Sequence, residues 1–341
     1  MDPATLPTER LVLLGANVGT NKPMPANGAI QLAFNRYLLP STVTRQSITV
    51  TPVGTAPAPP PIVKYDPVAR TVTLQNPSEG QPWLVEGQSY RVSVKTPSDA
   101  DTGGLLSLDG ASLAEPTSIQ FLVGPPGTPF AEPKVSLCED ILPIFAAKCQ
   151  GNGCHSDSGG KAAASLVLDT TIGIKGTTLG RPAQGANTGG KAQALAPGRV
   201  FGINMPLVDP GNPGNSWLLY KMLLAPLPKA GTPLSYTCTS PLAPSVVYTP
   251  NGPYSPAPTD RETAVLQDYV PGREMPYPVA KPTVYEELPL TFNERELVRI
   301  WIAQGADAPD CQGCRPIVPG DPDGGPSDAS TSDASPDAGR D

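Results

Sequence analysis

The residues with the clearest chemical potential lie in one short segment, Cys149-Gln-Gly-Asn-Gly-Cys154-His155. Two thiols followed directly by an imidazole are the groups that hold a c-type haem: both sulfurs form thioethers with the vinyl groups, and the histidine binds the iron. The usual spacer between the cysteines has two residues, and here it has four. Its glycines tolerate unusual backbone angles, so the extra residues can bulge out. The segment therefore predicts one haem c on Cys149, Cys154 and His155, with His155 as an iron ligand.

The same residues could also build two other sites. Cys149 and Cys154 could form a disulfide beside an exposed His155 that has no chemical role. Alternatively, zinc could bind Cys149, Cys154 and His155 with another cysteine, because Cys311 and Cys314 provide a second closely spaced pair.

Histidine occurs once in the 341 residues, which limits the chemistry open to the chain. Ser-His-Asp hydrolysis, His-rich zinc catalysis and two-histidine blue copper each need histidine at a set place or in a set number. The sequence shows no second cofactor motif and no acid–base pair. We therefore predict an electron-transfer protein rather than an enzyme.

Proline and glycine are unusually frequent, with 45 and 34 residues out of 341. This composition argues against a helical bundle or a doubly wound α/β enzyme, since both need long uninterrupted helices. It favours short strands, many turns and long loops. The length is sufficient for two domains of ordinary size.

The net charge is −7, and the last 22 residues contribute most of it with six Asp and one Arg. The rest of the chain is close to neutral, so the sequence gives no electrostatic basis for nucleic-acid binding. No apolar run approaches the roughly eighteen residues of a membrane-spanning helix. The acidic segment 319–341 contains no large apolar residue, and we predict that it is disordered.

Short segments with alternating apolar residues run from about residue 10 to residue 124, with turn-forming residues between them. Their apolar positions are Ile30, Leu32 and Phe34; Ile48 and Val50; Val72 and Leu74; Tyr90, Val92 and Val94; and Ile119, Phe121 and Val123. Alternation with period two indicates strands that bury one face. We predict an all-β sandwich in which each sheet has one face in solvent.

The motifs of this region occur in a recognisable order: "NKPMPANGAIQLAFNRYLLP", "YDPVARTVTL", "LVEGQSYRVSV" and "SIQFLV". From about Asn21 to Gly124 they resemble the bacterial Ig-like domain of the surface-layer type. The resemblance implies a spacer or docking module with no chemistry of its own.

Beyond a Pro/Gly-rich linker at 125–134, the pattern changes to short helices separated by long loops. In "EDILPIFAAKC", Ser136 and Asp140 compete as the residue that begins the helix. We prefer Asp140, because a start at Ser136 would place Pro143 well inside the helix, where it should break it. The segments 156–200 and 225–285 are rich in Gly, Pro and Thr, and we interpret both as loops.

Two further helices are predicted in this region. "NSWLLYKMLL" begins at Asn215 or Ser216. The last, "TFNERELVRIWIAQGA", has Thr291 as N-cap, Glu294 three residues later and Gly305 just past its end. Its apolar face contains Leu297, Ile300 and Trp301.

The order of motifs from Val135 to about Asp310 resembles a family of secreted mono-haem cytochrome c domains. The shared elements are a short helix ending "IFAAKC", the haem segment, "LVLD", "VDPGNPGNSWLLYKM", the Met-Pro loop "REMPYP" and the ending "ELVRIWIAQGA". The resemblance implies that Cys149 and Cys154 hold the haem and that His155 is the proximal ligand. It also implies that the methionine of the Met-Pro loop, Met275, is the distal ligand.

Two alternatives for the distal ligand remain open. Met205 is also followed by proline, but it precedes the "VDPG" turn, whereas Met275 lies in the loop that enters the last helix. The sixth position could also be open or hold water. Met222 lies among leucines of a helix and is expected to be a core residue.

Four cysteines remain once two hold the haem: Cys138, Cys238, Cys311 and Cys314. Because the first and last helices pack together in cytochromes c, the resemblance implies a disulfide from Cys138 to Cys311 or Cys314. A Cys311–Cys314 bridge and unpaired thiols are the alternatives. An even number of remaining cysteines fits an oxidising compartment.

The sequence thus predicts a multidomain chain. Its parts are an N-terminal leader segment (1–9), an Ig-like sandwich (10–124), the linker (125–134), a mainly α cytochrome c-like haem domain with long loops (135–318) and the acidic tail (319–341). We expect a periplasmic or cell-surface protein, anchored through an export leader that this chain lacks, which transfers single electrons to an unknown redox partner. The alternative is a non-redox surface protein with a degenerate, disulfide-stapled cytochrome-like domain.

Overall fold

The computed structural model describes residues 9–20, 22–78, 80–98, 103–128, 131–149, 154–156, 162–183, 199–227, 258–272, 274–276 and 290–311. Within these residues the chain forms two β-sheets followed by a helical region. The expected tail at 319–341 and most of the leader at 1–9 lie outside the described residues.

Each sheet has four strands. The first contains, in spatial order, β1 (Leu13–Ala16), β3 (Ile30–Phe34), β6 (Thr71–Gln75) and β5 (Ile62–Asp66), all antiparallel. The second contains β2 (Met24–Pro25), β8 (Thr117–Gly124), β7 (Ser89–Val94) and β4 (Ile48–Pro52), with β2 parallel to β8. One apolar cluster contains residues of both sheets, so the sheets pack face to face. Five of these strands, β3, β4, β6, β7 and β8, lie where the alternating pattern predicts them, and β1, β2 and β5 do not come from that pattern.

The first sheet departs from the expectation of one solvent-facing side. Every residue of β3 is buried, including Gln31 and Ala33, which point away from the sandwich core. The helical region covers this outer face, where Pro213 and Arg299 enclose with Gln31 and Lys64 a polar cavity of about 50 Å³. The prediction of one wet face per sheet is therefore wrong for the first sheet, because another part of the chain takes the place of solvent.

A second apolar core joins the sandwich to the helical region. Tyr37 and Leu108 of the sandwich belong to the same buried cluster as Phe201, Trp217 and other helical-region residues. The Tyr269 hydroxyl, at the far end of this core, donates a hydrogen bond of 2.8 Å to the Leu108 carbonyl. The sandwich and the helical region thus share a packed interface in addition to their covalent connection.

Buried ion pairs border this shared core. Asp109, 2% exposed, accepts hydrogen bonds from Arg36 at 2.8 Å and from Arg261 at 2.9 Å. Glu262 accepts the Tyr37 backbone N–H at 2.9 Å and lies 3.6 Å from the Arg70 guanidinium. Arg261 and Glu262 are neighbours in the helical region. Arg261 pairs with an aspartate of the sandwich, and Glu262 pairs with an arginine of the sandwich.

Among the described residues after the sandwich there are five α-helices: α1 (Leu142–Lys148), α2 (Thr171–Thr177), α3 (Trp217–Leu223), α4 (Asp260–Tyr269) and α5 (Phe292–Ala303). The positions of α1, α3 and α5 agree with the sequence pattern. Thr291 and Glu294 form the expected capping box of α5, and Gly305 follows its end at φ +101°. Two helices, α2 and α4, lie in the segments 156–200 and 225–285, for which the composition predicted loops. That prediction is wrong at these two helices.

The start of α1 corrects a second expectation. A π-helical turn at Leu137–Ile141 precedes α1, and the Ser136 hydroxyl accepts the Glu139 N–H at 3.4 Å. Ser136, rather than Asp140, therefore begins the helix, and Asp140 instead accepts the Ser136 backbone N–H at 2.7 Å. Pro143 is tolerated because the wider turn before it places the proline in the first turn of α1, where its missing N–H breaks no helical bond.

One buried charge cluster lies where α5 meets the sandwich and the linker. The Arg299 guanidinium pairs with Asp66 of β5 at 3.2 Å, with Glu296 of α5 at 2.8 Å and with Glu132 of the linker. Glu296 is fully buried, and its Oε1 has no hydrogen-bond partner among the described residues. Burial raises the pKa of Glu296 to about 8, and the nearby carboxylates of Asp66 and Glu132 act in the same direction against the charge of Arg299.

This cluster predicts a pH-dependent stability. A carboxyl group with a raised pKa binds its proton more tightly in the folded chain than in the unfolded one, so the free energy of unfolding decreases as pH rises from about 4.5 towards 8. We expect a lower urea midpoint at pH 8 than at pH 5.5. Glu296→Gln, which keeps the shape and removes the titration, should flatten this dependence. A variant whose stability falls with pH as steeply as the wild type would contradict the assignment.

Candidate functional site

Cys149 and His155 lie side by side at the end of α1. The Cys149 N–H donates to the Phe145 carbonyl at 2.8 Å, and the Cys149 carbonyl accepts the His155 N–H at 3.0 Å. This second bond brings Cys149 and His155 together, and residues 150–153 between them lie outside the described residues. Cys149 and Cys154 are both half-buried, and no disulfide joins them. The structure therefore brings together the three residues that the motif singled out.

His155 is buried, at 7% exposure, and its ring has a fixed orientation. Its Nδ1 lies 3.3 Å from the Leu166 carbonyl oxygen. A carbonyl only accepts, so we assign the hydrogen to Nδ1, which leaves Nε2 as the nitrogen that could bind a metal. Burial lowers the pKa of His155, opposed by its hydrogen bonds to the Leu166 and Ala163 backbone, and so favours the neutral imidazole that metals bind. An incidental exposed histidine does not fit this environment.

Apolar side chains of the first and last helices form a cluster next to Cys149. Phe145 of α1 and Trp301 of α5 meet edge to face, with ring centroids 6.5 Å apart. Both belong to a buried cluster that includes Leu168 and Leu166, the residue whose carbonyl contacts the His155 ring. Cys149 packs against this buried apolar cluster, the kind of surface that can shield a haem from water.

The Cys149 thiol is hard to ionise. Burial raises the pKa of Cys149 to about 12, and the neighbouring Cys154 and Glu294 act in the same direction. Lys148 opposes this effect, but burial lowers the pKa of Lys148 itself. Since the thiolate is the reactive form, Cys149 is a weak nucleophile in the folded chain.

The two candidate methionines have different surroundings. Met205 is completely buried in the core shared with the sandwich, where it packs with Phe201 and Trp217. Met275 is half-buried beside α3, and its backbone N–H donates to the Lys221 carbonyl at 3.2 Å. Met205 therefore has a packing role, and the pairing of Met275 with His155 across an iron stays a prediction.

Cys138 and Cys311 form a disulfide, with an S–S distance of 2.07 Å. It links the turn before α1 to the segment after α5. The Thr171 hydroxyl donates to the Cys311 sulfur at 3.2 Å. Cys311 is therefore not available as a fourth zinc ligand, and the described residues contain no group of three or more His, Cys, Asp or Glu that could hold a metal ion. Cys238 and Cys314 lie outside the described residues.

The disulfide is expected to stabilise the folded chain substantially. It joins residues 173 positions apart, and closing so long a loop removes much of the conformational freedom of the unfolded chain. We expect Cys138→Ser with Cys311→Ser to lower the free energy of unfolding by about 2–4 kcal/mol, measured by urea denaturation. Reductant should lower the free energy of unfolding of the wild type by a similar amount and leave that of the double variant unchanged. A double variant as stable as the oxidised wild type would contradict the prediction.

Helix α4 was not predicted, although the chain carries a signal for it. Thr259 accepts the Glu262 N–H, and the Glu262 carboxylate accepts the Thr259 N–H at 3.0 Å, which forms a capping box. The spacing Thr-x-x-Glu before an apolar run is the same signal that identified α5.

Comparisons with known proteins give little further information. No protein-family model and no curated protein matches the chain. Among solved structures, the crystal structure of the N-terminal part of the bacterial S-layer protein SbsC is 16% identical, with a TM-score of 0.24 over 34% of this chain and 24% of that one. The structure of SbsC domains 1–6 is 15% identical, with a TM-score of 0.23 over 39% and 15% of the two chains. At these values the similarity identifies neither the fold nor the function.

In the part of the chain that the structure describes, no helix is both long and apolar enough to cross a membrane.

Proposed function

We propose that the chain transfers single electrons through one covalently bound c-type haem, held by Cys149 and Cys154 with His155 as an iron ligand. The observation that carries the proposal is the contact between Cys149 and His155 at the end of α1. There a backbone bond places Cys149 beside His155, and the imidazole is buried with its Nδ1 bonded to Leu166. Met275 is the proposed second ligand, on the resemblance of its loop to that of secreted cytochromes c.

The residues present fit such a group. Both thiols are outside disulfides, burial lowers the pKa of His155 and so favours the neutral imidazole, and Cys149 packs against a buried apolar cluster. A haem with histidine and methionine ligands has a raised potential and no vacant position, which suits electron transfer rather than oxygen chemistry. The chain's own contribution is to fix the ring of His155, to keep water from it and to hold the two sulfurs near one another.

The Cys138–Cys311 disulfide supports an oxidising location, because disulfides persist mainly outside the cytosol. We place the protein in the periplasm or on the cell surface, where a redox partner protein would supply or accept the electron. The sandwich is best seen as an Ig-like docking module held rigidly against the haem domain, since the two share a buried core.

The test is to express the chain with an export leader in cells that carry a c-haem maturation system. Peroxidase activity of the band on a denaturing gel and the pyridine haemochrome spectrum report covalent haem. One haem per chain that survives denaturation supports the proposal. A colourless band overturns it.

The second candidate is a non-redox surface protein. It is favoured by the apolar core of the helical region together with the Cys138–Cys311 disulfide, which can stabilise a domain with no redox role. A colourless band that carries a Cys149–Cys154 disulfide by mass spectrometry would support this candidate.

A further inference from the structure

We propose that Lys221 of α3 is a positioning residue that holds the Met275 loop in place, so that the methionine sulfur stays on the iron. The proposal rests on the proposed function and on Met275 as the second ligand. Its basis is that Lys221 contacts the loop twice, from both its side chain and its backbone.

The two contacts bracket the segment before Met275. The Lys221 ammonium donates to the Pro271 carbonyl at 2.8 Å. The Lys221 carbonyl accepts the Met275 N–H at 3.2 Å. One residue of a packed helix therefore fixes two points, four residues apart, in the segment that carries the methionine.

Gly272 makes the close approach possible. Its φ is +88°, a conformation that favours glycine, and a Cβ placed there would lie 3.3 Å from the Lys221 ammonium nitrogen.

Both supports of this segment are themselves rigid. On one side, α3 buries Leu219 and Met222 in the core beside the candidate site. On the other side, α4 ends at Tyr269, whose hydroxyl is bonded to the sandwich at Leu108. Lys221 thus connects α3 to the residues Pro271 and Met275 that follow the end of α4.

Lys221→Met keeps much of the side-chain length and removes the hydrogen bond to Pro271. A hydrogen bond from a charged group contributes enough to shift the balance between bound and displaced methionine by about ten- to a hundredfold. We expect normal covalent haem content, a weaker far-red absorption band of methionine-ligated ferric haem, and displacement by imidazole at about ten- to a hundredfold lower concentration. Lys221→Arg should restore much of the wild-type behaviour.

Gly272→Ala provides an independent variant and should weaken methionine ligation in the same direction. Lys175→Met is the matched control, because Lys175 is an exposed helical lysine paired with Asp310 at 3.2 Å on the surface. In the apo chain, hydrogen exchange of the Met275 amide should be faster in Lys221→Met than in Lys175→Met.

The outcomes separate this proposal from the proposed function. Haem attached normally in every variant, with the same far-red band and imidazole affinity in Lys221→Met as in the wild type, would overturn the role of Lys221 alone. A wild-type holoprotein that lacks the far-red band would remove Met275 as ligand and the role of Lys221 with it. A chain that takes up no haem overturns both proposals.

Discussion

His155→Ala is expected to abolish stable holoprotein when the full chain is exported together with a c-haem maturation system. The imidazole is buried and oriented by its Leu166 contact, and no other histidine exists in the chain to replace it. Cys154→Ala should have the same effect, because this cysteine directly precedes the iron ligand and fixes the haem edge relative to it. Both variants should give a colourless band on a haem-stained denaturing gel.

Cys149→Ala is expected to differ, with single-thioether haem in part of the population. The four-residue spacer separates Cys149 from the Cys-His pair and holds its sulfur less firmly at the haem edge than that of Cys154. Mass spectrometry of the denatured protein measures the fraction with haem attached. Equal and full haem content in all three variants would sink the assignment of the site.

Asp109→Asn should lower the free energy of unfolding by about 3–5 kcal/mol, because it leaves two arginines at the shared core without their anion. Arg36 is 2% exposed and Arg261 is 13% exposed, so neither can turn freely into water. Burial alone would raise the pKa of Asp109, yet hydrogen bonds from Ser107 and Arg261 and the charge of Arg36 lower it. The carboxylate is therefore charged in the folded protein, and its charge is what the variant removes.

Asp268→Asn is the matched control for this variant. Asp268 pairs with Arg199 at 3.8 Å, and both side chains are more than a third exposed. Exposed pairs contribute at most about 1 kcal/mol. Urea denaturation should show one transition in the wild type, since both parts share a core, with a much lower midpoint only for Asp109→Asn. Equal stability of the two variants, or separate transitions of sandwich and helical region in the wild type, would contradict a shared core.

The β-sandwich was predictable because its information is local. Alternation at residues such as Ile30, Leu32 and Phe34 indicates which side of a strand faces the core, and these residues lie buried in β3. Helix α5 was predictable for a similar reason, since its capping box and final glycine mark both ends. These signals depend on residues within a few positions of one another.

The interface was not predictable, because its signal is divided between distant segments. Nothing near Asp109 in the sequence indicates that Arg261, 152 positions away, is its partner. Gln31 was expected in solvent because it alternates with core residues, and only the arrival of the helical region over β3 buries it. The prediction for the start of α1 was wrong for a different reason. A π-helical turn allows the helix to begin at Ser136, although ordinary helical spacing would place Pro143 inside the helix.

For the candidate site, the sequence predicted which residues meet but not the environment that they meet in. The spacing of Cys149, Cys154 and His155 indicated one site, and the backbone bond from His155 to Cys149 brings its ends together. The orientation of the imidazole depends on Leu166, eleven residues further along the chain, and no motif contains that contact.

The Cys138–Cys311 bond also makes the helical region a covalent ring. Every peptide bond between these two residues, which are 173 positions apart, lies inside the ring. A protease that cuts one peptide bond of this ring opens the ring but releases no fragment. Two cuts are needed to remove any piece. A chain nicked once between Cys138 and Cys311 would therefore keep all its parts in one molecule.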